Sequence, residues 1–488
     1  TTAGTGNATV VNDNGLTFAA STVGGNLAAT ATAGNMTDNG ALAITGTTRL
    51  TTSANNATIA LNTTTNAFTG AVTITTNDND GTDADVTIDG GTTALTLAAS
   101  TIDGDLTVRS GNVSGITDSG LVTVGGNLIA TTDNNSGVIN LGTLAVDGTV
   151  ALTTHGSGNA TVVNDAGLTF AAATVGGALN ATATTSHMTD NGALTIAGTT
   201  RLTTSANDAT ITLDTTTNAF TGAVTITTND NDGTAADVTI DGGTTALILA
   251  TSTIDGDLTV TSGNASGITD SGTVTVGGNL VATTDANAGV INLGDLAVDG
   301  TVQLTTAGTG NATVVNDAGL TFAAATVGGN LAATATAGNM TDNGALAITG
   351  TTTLTTSANN ATIALDTTTN AFTGAVTITT NDDANSDADV TIDGGTTALI
   401  LAASTIDGDL TVRSGHASGI TDNGLVTVGG NLAATTDAAS GLINLGTLAV
   451  DGTVALATHG SGNATVVNDA GLTFAAATVG GDLAATAT

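Results

Sequence analysis

Four aspartates, Asp78, Asp80, Asp83 and Asp85, crowd into one short stretch around Gly81. Carboxylates packed that densely are hard oxygen ligands, and the chemistry they point to is Ca²⁺ coordination. The cluster returns at a fixed step of 152 as Asp230, Asp232 and Asp237, then as Asp382, Asp387 and Asp389. Its members drift between copies. Asp80 is matched by Asp232 and then Ala384, and Asp83 by Ala235 and then Asp387. Only the positions of Asp78 and Asp85 carry a carboxylate throughout. A tight metal site keeps its ligands in every copy. A solvated acidic loop or widened corner over Asn77–Gly91 is therefore the competing expectation. Most other aspartates sit beside glycine in phrases such as "TDNG" and "TDSG", where the side chain is expected to cap its own turn.

No second constellation competes for chemistry. Cys, Lys, Glu, Pro, Trp and Tyr are absent, so no thiol nucleophile and no large sugar-stacking ring exists. His155 is replaced by Ala307 one step on, His187 stands where Asn35 stood, and His416 where Asn112 stood. A side chain exchangeable with alanine or asparagine is not an indispensable base. The expectation is no enzyme, and no cofactor beyond that Ca²⁺. The 41 acids against four arginines leave a net charge of −37. No basic groove can neutralise phosphates, anionic lipid would repel the chain, and no apolar run is long enough to span a bilayer.

The element that must position these residues is a repeat. The octamer "GNATVVND" begins at Gly6, Gly158, Gly310 and Gly462, at the same step of 152 each time. The units are therefore 6–157, 158–309, 310–461 and a partial 462–488, expected to form one continuous array over 1–488. Inside one unit, glycine-led phrases open at Gly25, Gly46, Gly70, Gly104, Gly126 and Gly148, and the next unit resumes at Gly177. Most of these steps are close to equal. Those from Gly70 to Gly104 and from Gly148 to Gly177 are longer. Each interval holds about three short pieces rich in Thr, Val, Ile and Leu, bounded by Gly, Asn, Asp and Ser. Apolar residues alternate at period two rather than 3.6, and glycine disfavours helix. The fold class is thus all-β: a parallel β-solenoid with about six three-strand coils per unit, each strand pairing with its counterpart one coil away. At about 4.8 Å per coil the array would form a rod on the order of 90 Å long.

The copies set the register. Leu27/Ala29, Val72/Ile74, Leu106/Val108, Leu128/Ala130 and Val150/Leu152 are assigned inward. The residues between them drift: Ile129 becomes Val281 and Ala433, and Arg49 becomes Arg201 and Thr353. Constancy inside and drift outside is what a close-packed interior column predicts. Phe18 and Phe68, with their copies, and the Met36 series are read as core or corner filling.

The stretch "IDGDLTVRSGNVSGITDSGLVTVGGNLIATT" at Ile102–Thr132 resembles the repeats of filamentous-haemagglutinin-type bacterial adhesins. That resemblance implies a right-handed parallel β-helix shaft and an extracellular, cell-surface location. The expected function is a structural rod or fibre segment of a surface adhesin. Its partners would be further coils of the same chain, or copies of itself stacked end to end or side by side, with a host or surface glycan bound at a distant tip. Two alternatives stand beside it: an adhesive module holding a ligand or Ca²⁺ on lateral loops, and a polysaccharide-acting β-helix enzyme. Thr1 falls mid-repeat, which suggests a window cut from a longer chain.

Overall fold

The computed structural model describes every residue except 78–82, 134–135, 231–235, 286–287, 382–387 and 438–439. It divides into two compact units, Thr1–Thr245 and Ala246–Thr488. Each is a parallel β-solenoid, with about 22 turns in all and no helix among the described residues.

The local rule is simple. A long strand with alternate side chains inward is followed by a bent pair of short strands, and then by the next long strand. In the first unit, Ala8–Asn12, Leu27–Ala31, Thr48–Thr52 and Val72–Thr75 stack in register on one face. The short pairs between them, such as Met36–Asp38 with Leu42–Ile44, stack on the other side. All the residues assigned inward are buried, none more than 3% exposed, while Ile129 is 44% exposed. Met36 and Phe68 are fully buried, as are Phe170 and Phe220. Buried threonines at or just past the C-terminal ends of long strands are bonded: the Thr132 hydroxyl donates to the Gly137 carbonyl at 2.9 Å, and Thr154 does the same to Gly158 at 2.6 Å. The hydroxyls of Thr48, Thr200 and Thr352, which open their strands, have no partner among the described residues.

Two features differ from the sequence expectation. The glycine-led strands do not form one column. Val86–Asp89 stacks on Ile59–Leu61, on the face that short pairs had occupied. Leu106–Ser110, Leu128–Thr132 and Thr149–Thr153 then follow it there. The short pairs move to the opposite face, where Leu95–Leu97 and Ser100–Ile102 lie against Val72–Thr75. Ala160–Asn164 then stacks on Ile139–Val146 and returns the long strands to their first face, with a register shift where the two strand types meet. The cause is chain length. A short interval, such as Gly25 to Gly46 or Gly104 to Gly126, is one turn and ends on the face where it began. The long intervals, Gly70 to Gly104 and Gly148 to Gly177, each hold an additional strand beyond one turn, so they end on the opposite face.

The same switch changes the coil count. Between Ala8–Asn12 and its copy Ala160–Asn164, one face carries seven layers rather than six. It also corrects the acidic stretch: Asn77–Gly91 is not wholly loop, because it contains the switch strand Val86–Asp89. The opening octamer has the same role. Gly158 and Asn159 turn the corner, and Ala160–Asn164 is the strand that changes face.

Candidate functional site

The corner before each long strand carries a column of Asn and Asp. Asn7 Oδ1 accepts the Asn26 N–H at 2.8 Å, and Asn26 Oδ1 accepts the Thr47 N–H at 2.9 Å. On the other face Asp85 accepts from Asp105 at 2.8 Å, Asp105 from Asn127 at 2.7 Å, and Asn127 from Thr149 at 2.9 Å. Each side chain therefore bonds the next coil rather than its own turn, and the same bonding by Asp38 and Asp118 corrects the capping expectation for those two. Asp118 takes the Thr143 N–H at 2.6 Å and its hydroxyl at 2.8 Å. Several corner glycines beside the column are explained too. A Cβ on Gly25, Gly46 or Gly126 would collide with the Asn or Asp side chain of the coil beneath.

This column decides what the described candidate metal ligands do. Asp85 and its copy Asp389 each commit Oδ1 to a backbone N–H, of Asp105 and Asp409 respectively. Asp237 directly precedes the equivalent strand Val238–Asp241 and is exposed, as is Asp83, while Asp230 is half-buried. Asp78, Asp80, Asp232, Asp382 and Asp387 lie outside the described residues. Among the described residues no group of three or more acids or histidines converges on a common point.

Column chemistry yields a clean test. Asp105→Asn keeps the Oδ1 acceptor, as Asn127 does one coil on, and is expected to change stability by less than about 0.5 kcal/mol. Asp105→Ala leaves the Asn127 N–H without its acceptor and is expected to cost about 1–2 kcal/mol. Urea unfolding of both variants, followed by circular dichroism, checks the difference.

Two of the four histidines, His187 and His416, obey the same logic, whereas His155 Nδ1 meets the Thr132 carbonyl oxygen at 2.6 Å. His187 Nδ1 accepts the Thr210 N–H at 3.0 Å, as Asn35 Oδ1 accepts from Thr58 and Asn339 from Thr362. His416 Nδ1 accepts the Ser418 N–H at 3.0 Å, the role of Asn112 toward Ser114. Histidine replaces asparagine here because both present an acceptor at the same reach.

One constellation was not foreseen. Asp89 is in register with Arg109 on the neighbouring strand. The Arg109 guanidinium donates through Nη2 to Asp133 Oδ1 at 2.8 Å. These three residues, with Thr64, Thr87 and Thr107, line a groove of about 390 Å³. Asp89 is only 6% exposed. Its Oδ1 accepts the Gly91 N–H at 2.7 Å. Burial pushes its carboxyl above the ordinary carboxylate value, against the opposing pull of the Gly91 N–H and the Arg109 charge. The signal available beforehand was the spacing: the step from Asp89 to Arg109 and the step from Arg109 to Asp133 are each close to one turn.

The model of a family described as repeats of unknown function (DUF5649) matches residues 5–75, 83–132, 157–227, 235–295 and 309–379, together well over half of the chain. The chain belongs to the DUF5649 repeat family. Each match opens just ahead of a strand that begins a new run of turns, at Ala8, Val86, Ala160, Val238 and Ala312. The DUF5649 repeat is therefore one run of turns between two face changes, and the longer unit read from the sequence is a pair of them. No curated protein and no solved structure matches the chain.

Proposed function

We propose that this repeat array is a structural rod or fibre segment of an extracellular bacterial surface adhesin, with no enzymatic role of its own. The observation that carries the reading is the double tie between coils. Layers within a unit are held by parallel backbone pairing, and their corners are held again by Asn and Asp side chains reaching to the next coil. Opening one coil breaks pairing on both of its sides, which resists local unfolding. Repetition then adds length without adding new kinds of contact. The four arginines and the absence of lysine leave trypsin-like proteases little to cut. The charge of −37 keeps neighbouring arrays apart in the absence of divalent cations. The resemblance to filamentous-haemagglutinin-type repeats supports the surface location.

The test is electron microscopy of chains carrying one, two and three of the long repeat units. Unbranched particles whose length grows in proportion to unit number are expected. Globular particles, or beads on flexible tethers, would overturn the reading.

A further inference from the structure

We propose that the groove at Asp89, Arg109 and Asp133 binds a neutral saccharide. The site is built by register. Asp89 and Arg109 are strand neighbours, about 4.8 Å apart along the stack, and Thr87 and Thr107 form the same pairing earlier on the same two strands. Hydrogen-bonding groups of both kinds are thus held at fixed offsets on stiff strands rather than on a mobile loop.

Asp89 offers a carboxylate acceptor to the groove. It is more than nine-tenths buried, being 6% exposed, and only one of its oxygens is bonded, to the Gly91 N–H. Among the described residues the second oxygen has no hydrogen bond, and Asp89 lines the groove, where a ligand hydroxyl can donate to it. Arg109 is held by Asp133 through one nitrogen, which orients the remaining guanidinium N–H groups.

The charges select the ligand class. A guanidinium set between two carboxylates opposes a metal cation. Two carboxylates, on a chain of net charge −37, oppose an anion. A polyhydroxyl ligand satisfies both: its O–H groups donate to Asp89 and Asp133, its oxygens accept from Arg109, and the threonine hydroxyls do either.

The same three residues recur two repeat units on. Asp393 is 5% exposed, pairs in register with Arg413, and accepts the Gly395 N–H at 2.7 Å, with Arg413 3.9 Å from Asp437. In the intervening copy the arginine position is Thr261, between Asp241 and Asp285. That copy lacks the guanidinium and is not a site of this kind. It also supplies the control, since Arg109→Thr and Arg413→Thr install a residue the chain already uses at this position.

Saturation-transfer NMR with maltotetraose, cellotetraose and chitotetraose tests the assignment. The intact chain is expected to transfer saturation to at least one of them. The R109T/R413T variant, with unchanged circular dichroism, is expected to bind that saccharide about tenfold more weakly, the loss of one charge-assisted hydrogen bond. Absence of transfer to all three from the intact chain would overturn the proposal, as would equal transfer from the variant. Neither result bears on the fibre reading, which predicts particle length and not binding.

Discussion

Replacing Phe220 by alanine is expected to destabilise its coil by about 3–5 kcal/mol, the cost of deleting a fully buried ring from a core that cannot collapse around the void. Phe220 is completely buried, and in the strand Ala219–Phe220 it lies in register with Ile196 of the coil beneath. The space it fills is fixed by backbone pairing to its neighbours, so little relaxation is available. Phe68 and Phe372 hold the same position in the flanking copies and are equally buried. The damage should remain local, because each coil contacts only its neighbours. A global melting curve would therefore understate it. Native-state hydrogen exchange is the better measurement: protection should fall first in Leu194–Ile196 and Ala219–Phe220, while Ala8–Asn12 keeps its protection. Uniform loss across the chain would show that the coils unfold as one body.

Gly115→Ala is expected to be among the most damaging single methyls in the chain. Gly115 has φ +62°, and a Cβ there would land on the Val138 carbonyl oxygen of the next coil. The left-handed backbone alone costs a non-glycine residue about 1–2 kcal/mol. The collision adds to that, because the same Val138 carbonyl accepts the Ile116 N–H at 2.9 Å and cannot move without breaking the pairing. A total above about 2 kcal/mol is expected from denaturant unfolding. Gly142→Ala is the matched control. Its nearest neighbour would be the Asp118 carboxylate, 4.0 Å from the new Cβ, and its φ is not positive. It should fall within about 0.5 kcal/mol of the unaltered chain. Both glycines recur in the later copies, as Gly267 and Gly419 and as Gly294 and Gly446. Recurrence therefore does not distinguish them, and only their neighbours one coil away do.

That contrast runs through the whole molecule. Within a strand, the linear order of residues determined the outcome. Alternation at period two is a local property, so Leu106 and Val108 could be placed inward and Arg109 outward without any knowledge of the stack. The class of fold followed for the same reason. Short β-branched pieces between glycine corners that return at near-equal steps have one economical way to bury their apolar sides. The change of face was latent in the two long intervals, Gly70 to Gly104 and Gly148 to Gly177. It went unread because a long interval looks the same whether it holds a loop or an additional strand. The role of the column aspartates was not readable at all. Asp105 in a "DGD" phrase resembles a residue capping its own turn, and only the stack shows its Oδ1 on the N–H of Asn127.

The groove lies furthest from the linear order. Asp89, Arg109 and Asp133 belong to three different turns, and their side chains meet only because parallel pairing sets residue 89 beside 109 and 109 beside 131. Composition, alternation and repeat length determined that this chain winds into stacked β coils with a known inside and outside. Which strands share a face, which glycines admit no side chain and which polar groups converge were decided by tertiary structure, because each depends on what lies one coil away rather than on what comes next in the chain.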